Sequence, residues 1–119
     1  MSDEHKVYLD ASGIVIADYR IASLAATPKS VEQTRAKIAE LCPGRKVPLL
    51  VLVDVAHGMG PELTDAVRRM DAVVTKVAVV TAIAAARQLV GDFTQTAKLP
   101  FPHRAFENEA DARDWLLSS

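Results

Sequence analysis

Residues 49–54 read Leu49-Leu50-Val51-Leu52-Val53-Asp54, an apolar run rich in branched side chains that ends on a carboxylate. A run without apolar–polar alternation suits a strand covered on both faces, as in a parallel sheet. Val77-Ala78-Val79-Val80 repeats the signature downstream. Between the two, Gly58, Gly60 and Pro61 break the chain, and Glu62 to Val74 is expected as a helix with Leu63, Val67 and Met70 inward. Two buried strands joined through a helix form a βαβ unit, so the surrounding sheet should be mostly parallel.

The rest of the chain fits around that unit. Val7-Tyr8-Leu9 and Ile14-Val15-Ile16-Ala17 are short strand-forming runs, and Asp10-Ala11-Ser12-Gly13 has the composition of a hairpin turn. Thr27-Pro28 suits a helix cap and first turn, with Ser30 and Gln33 as a second start of capping-box form. Val31, Thr34, Ile38, Leu41 and Cys42 recur at helical spacing until Pro43-Gly44 ends the helix. Ala82 to Ala97 reads as a third helix, Leu99-Pro100-Phe101-Pro102 as a rigid link and His103 to Phe106 as a last strand. Asn108 caps a final helix that buries Ala112, Trp115 and Leu116. The order β-β-α-β-α-β-α-β-α predicts one α/β domain over residues 1–119: an N-terminal hairpin, a mixed, mostly parallel sheet and about four covering helices.

Composition excludes several classes. The 119 residues carry 14 Lys plus Arg and 15 Asp plus Glu, a net charge of −1, which argues against a nucleic-acid binder with a concentrated basic face. The apolar runs fall far short of the roughly 20 residues that span a bilayer, and the polar, acidic start is unlike a secretory signal, so the expected location is the cytoplasm. Cys42 is the only cysteine and is expected to be an inert buried thiol. His5, His57 and His103 lack metal-ligand spacing. Neither a metal nor a cofactor is expected.

Ligands of open α/β sheets favour the carboxyl ends of the central strands, which directs attention to Asp54, His57 and the Gly58-Met59-Gly60 turn. Asp54 with His57 has the composition of an acid–base pair; the plainer alternative makes Asp54 a turn cap and His57 a solvated loop residue. No serine lies in this turn, so a nucleophilic triad lacks its nucleophile. The glycines half resemble a dinucleotide fingerprint, but Leu63 stands where its third glycine belongs. The free amides of the helix that starts near Gly60 suit an anion.

The third helix is apolar over most of its circumference through Ile83, Ala84, Ala86, Leu89, Val90 and Phe93, with Gly91 weakening its interior. Three readings stay open: an unusually well-buried helix, the seam of a homodimer, or a movable lid over an apolar pocket; a homodimer is expected, since two-fold pairing is the commonest way to cover such an apolar surface. Asp54, His57, Gly58, Met59, Gly60, Leu89, Val90 and Phe93 are the candidate ligand-binding residues.

The strand-turn-helix after Asp54, the valine-rich strand at 77–80 and the closing motifs resemble a bacterial SpoIIAA-like (STAS) domain, in the subset likened to CRAL-TRIO domains. The closing motifs are Gly91-Asp92-Phe93, Lys98-Leu99-Pro100-Phe101-Pro102, Arg104-Ala105-Phe106 and Ala112-Arg113-Asp114-Trp115-Leu116. Members of the anti-sigma-factor antagonist type are switched by phosphorylation of a hydroxyl residue at the start of the helix after the central strand. Residues 54–61 here contain no hydroxyl, and Thr64 falls a turn late. The resemblance therefore implies a non-enzymatic binding or regulatory module without the phospho-switch. Its partner would be a protein or a small apolar, lipid-like ligand. An enzyme using Asp54 and His57, or a purely structural homodimerisation module, is the alternative.

Overall fold

The hairpin that opens the domain is set by one carboxylate. Asp10 Oδ1 accepts hydrogen bonds from the backbone N–H of Ser12 at 2.9 Å and of Ile14 at 3.2 Å, an Asx turn. Gly13 follows at φ +89, a conformation that side chains rarely adopt. The turn joins β1 (Lys6–Leu9) antiparallel to β2 (Val15–Asp18). The computed structural model describes residues 6–20, 27–53 and 61–118.

β2 pairs parallel with β3 (Val47–Leu52), β3 with β4 (Val74–Val80), and β4 with β5 (His103–Phe106), giving a five-stranded sheet in the order β1-β2-β3-β4-β5. The apolar runs are buried on both faces, as their lack of alternation requires. Val15, Ala17, Leu49, Val77 and Val79 face one core with Val31 and Ile38 of α1 (Pro28–Leu41), Leu63 and Ala66 of α2 (Pro61–Arg68), and Val90 of α3 (Ala84–Ala97). Ile14, Ile16, Leu50, Leu52, Ala78 and Val80 face the other core, closed by Ala112 and Leu116 of α4 (Glu109–Leu117). Arg113 of α4 reaches back to Asp10, Nη1 to Oδ2 2.6 Å, and so ties the last helix to the first turn.

Two boundaries differ from expectation. The second helix does not run to Val74: it ends at Arg68, a 3-10 turn spans Arg69–Ala72, and Val74 begins β4. β4 also carries one extra residue, since Val47 pairs with Val74 but Leu49 with Val77. The first helix starts as expected, with Thr27 as its cap and Pro28 in its first turn; Ser30 is the reciprocal partner, Ser30 N–H to Thr27 Oγ1 3.0 Å and Thr27 N–H to Ser30 Oγ 2.8 Å, and the second start at Ser30 with Gln33 is not used. The third helix starts at Ala84, not Ala82, and is not covered all round. Ala86, Val90, Phe93 and Ala97 are its buried side; Ala84, Ala85 and Leu89 are exposed.

Candidate functional site

Asp54, His57, Gly58, Met59 and Gly60 lie outside the described residues. At the carboxyl end of the sheet, Arg20 is committed to Asp18, and Thr81 to the start of α3. Arg20 grips Asp18 through Nε to Oδ1 at 3.0 Å and Nη2 to Oδ2 at 2.9 Å, and its guanidinium holds the Asp18 carboxyl below the usual range against the opposing effect of burial. Buried Thr81 accepts Ile83 N–H on Oγ1 at 3.2 Å, and its carbonyl accepts Arg87 Nη1 at 2.9 Å. These contacts close the end of β4 onto the start of α3. Among the described residues no buried side-chain polar atom lacks a hydrogen-bond partner. No group of three or more His, Cys, Asp or Glu among them could hold a metal ion.

A concave site among the described residues lies between α2 and α3. It is a cleft of about 320 Å³ lined by Thr64, Arg68, Leu89, Asp92, Phe93, Thr96 and Ala97. Thr64 and Arg68 are one turn apart on α2, and Leu89, Asp92, Phe93 and Thr96 follow the i, i+3, i+4, i+7 stripe of one face of α3. Leu89, Phe93 and Ala97 give an apolar wall. Arg68 and Asp92 set one cation and one anion at the polar margin. Arg68 also closes one end of the cleft, donating Nη2 to the Ala97 carbonyl at 2.5 Å, the kind of contact that satisfies the last carbonyls of a helix.

Two of the ligand-binding candidates on the third helix, Leu89 and Phe93, thus line one cleft, whereas Val90 faces the core at 3% exposure and does not. The reason is helical phase: a residue next to Leu89 projects about 100° away from it. Thr64, Arg68, Asp92, Thr96 and Ala97 had no part in the expected site. Their signal was the shared stripe on α3 and the one-turn pair on α2, which acquire meaning once the two helices are known to be neighbours.

Next to Phe93, the His103 imidazole of β5 packs against two rings. Phe93 stands edge-on at 5.7 Å with a 69° interplanar angle, and Phe101 is tilted at 6.4 Å. His103 Nδ1 lies 2.7 Å from Thr94 Oγ1. Burial pushes the His103 pKa down to about 4 from 6.5, so the ring is neutral at pH 7.

A five-stranded sheet with a single antiparallel pair at its hairpin edge and helices on both faces defines the class: a small mixed α/β domain of SpoIIAA-like architecture. The chain belongs to the SpoIIAA-like family, whose model matches residues 18–117. Among solved structures it is similar to an uncharacterized protein of the DUF3478 family with a SpoIIAA-like fold from Shewanella loihica PV-4. That match has 15% identity, 94% of this chain and 91% of that one covered, and a TM-score of 0.56. A protein of unknown function from Arthrobacter sp. FB24 aligns at 20% identity over 96% of this chain and 100% of that one, with a TM-score of 0.33. No curated protein matches the chain.

Proposed function

We propose that this SpoIIAA-like domain is a non-enzymatic binding module that takes a small amphipathic, lipid-like ligand in the cleft between α2 and α3. The observation that carries the reading is the cleft itself. Its volume of about 320 Å³ falls within the roughly 300–1,000 Å³ range of small-molecule sites, and an apolar wall with a few convergent polar groups is the usual lining. The apolar part of a ligand would lie along Leu89, Phe93 and Ala97, with its polar end at Arg68 or Asp92. A phospho-switch is not part of this reading, because residues 54–61 hold no hydroxyl side chain.

Titration calorimetry with dodecanoate tests it. Wild-type protein is expected to bind and Leu89→Glu to lose most of that binding, because a carboxylate replaces the exposed apolar wall without disturbing a core residue. Binding unchanged by Leu89→Glu, or a wild type that binds no amphiphile but captures a protein through this face, would count against a small-ligand module.

One observation favours a second reading, a homodimer through α3. Ile83 and Leu89 are 48% and 37% exposed, and Ala84 and Ala85 between them are also exposed. Two-fold pairing is the commonest way to cover such a face. Light scattering that reports a 12.9 kDa particle across micromolar concentrations excludes it, whereas a particle of twice that mass, reverting to monomer in Ile83→Glu, supports it.

A further inference from the structure

β1 is an edge of the sheet: among the described residues no strand pairs with its outer side. The hairpin fixes the phase of its backbone. Asp10 N–H donates to the Ile14 carbonyl at 3.0 Å and the Asp10 carbonyl accepts Gly13 N–H at 3.2 Å, so both backbone groups of Asp10 turn inward. Alternation along an antiparallel pair then turns those of Tyr8 and Lys6 toward β2 and those of Val7 and Leu9 outward. Side chains alternate between the two faces of the sheet. Val7 packs against the core that α1 covers, whereas Lys6, Tyr8 and Asp10 share the face from which Arg113 of α4 approaches. Tyr8 and Leu9 are 39% and 37% exposed.

We propose that β1 pairs antiparallel with β1 of a second copy of this chain, about a two-fold axis at Tyr8, and so joins two five-stranded sheets into one. The outward groups permit three registers: Val7 on Val7, Leu9 on Leu9, or Val7 on Leu9. The last pairs every outward residue of the strand with another, sets Tyr8 opposite Tyr8 on the axis, and sets Lys6 of each copy opposite Asp10 of the other. Charge selects it. Val7 on Val7 would place Lys6 opposite Tyr8, and Leu9 on Leu9 would place Tyr8 opposite Asp10, so neither forms an ion pair.

A lysine on an edge strand opposes pairing with an unmatched strand. In the Tyr8-centred register it meets a carboxylate on both sides of the axis. Asp10 already holds Arg113 at 2.6 Å, so Lys6 brings a second cation to a carboxylate that is fixed in place. A surface pair of this kind adds little affinity and serves to set the register. Pairing of β1 with β5 of the next copy would be head-to-tail and leave an open chain of subunits, whereas β1 on β1 closes as a dimer. A four-residue strand makes an interface at the small end of the range, so the association is weak and depends on concentration. It uses neither the cleft nor the exposed side of α3, and it holds whatever the cleft binds.

Amide exchange by NMR in the wild type reads the pairing at the residues that make it. Raising the protein concentration from about 50 μM to about 1 mM should slow exchange at Val7 and Leu9 about three- to fourfold. Light scattering at the higher concentration should report a particle approaching twice 12.9 kDa. Tyr8→Lys, which gathers like charges at the axis without touching a core residue, should return the particle to 12.9 kDa and remove the concentration dependence. Ile83→Glu, on α3, should change neither result. A wild-type particle of 12.9 kDa at both concentrations overturns the proposal. So does exchange at Val7 and Leu9 that is independent of concentration, or a dimer that survives Tyr8→Lys and is lost in Ile83→Glu. Should Tyr8→Lys not fold, the wild-type exchange series decides by itself.

Discussion

Replacing Asp10 with alanine removes a carboxylate that joins two ends of the chain. Its Oδ1 accepts from Ser12 N–H and Ile14 N–H in the hairpin turn and from the Ser12 hydroxyl at 2.7 Å, while its Oδ2 accepts Arg113 of α4 at 2.6 Å. Burial pushes the carboxyl up, but the Ser12 and Arg113 hydrogen bonds, with those from the two amides, bring it down to about 2 from 3.8. That displacement converts to about 2.4 kcal/mol. The pair is only partly shielded, with side chains 18% and 31% exposed, and solvent screening reduces the figure to about 1–1.5 kcal/mol. A lowered carboxyl pKa stabilises the folded state fully above 3.8, and the contribution is lost as the pH falls through about 2. Urea denaturation of wild type and Asp10→Ala at pH 7 should therefore show a drop of about 1–1.5 kcal/mol with an unchanged slope. Repeated between pH 4.5 and 2, the gap between the two proteins should close. A gap that stays constant with pH, or a loss below about 0.3 kcal/mol at pH 7, would refute the assignment of this carboxylate as an ionic link.

Leu50→Ala, at a position with no exposure between β2 and β4, should cost about 2–5 kcal/mol in the same denaturation assay. Gly13→Ala should cost about 1 kcal/mol through the backbone alone, since φ is +89 and nothing lies within 4 Å of the new methyl group. Thr27→Ala removes the side chain that caps α1 and should lower the melting stability by about 1 kcal/mol, with Thr27→Ser nearly neutral.

The β3 run declared itself because each of its residues must satisfy a core on one face or the other, which leaves no room for polar alternation. The start of β4 did not. Thr75 and Lys76 interrupt the apolar pattern, and Val73 and Val74 then continue the helical spacing of Leu63, Ala66 and Met70 just as well. Lys76 sits in a buried strand only because its ammonium leaves the sheet to reach the carbonyls at the end of α4 and to lie 4.9 Å over the Trp115 ring. That is a tertiary arrangement with no local signature. The composition of α3 likewise overstated its cover. Alanine costs little to expose, so Ala84 and Ala85 face outward while Ala86 and Ala97 face in, and the four look alike in sequence. The cleft was half legible: Leu89 and Phe93 stood out as apolar residues on one helix, but Thr64 and Arg68 belong to the site only through the placement of α2 beside α3.

The most direct test of the binding-module reading is a chemical-shift map. Isotope-labelled protein titrated with dodecanoate is expected to show saturable shifts in the amides of Thr64, Arg68, Leu89, Asp92, Phe93 and Thr96, the residues that line the cleft with Ala97. Saturable shifts confined to α4 and the face it covers, or none in the cleft at any concentration, would contradict it.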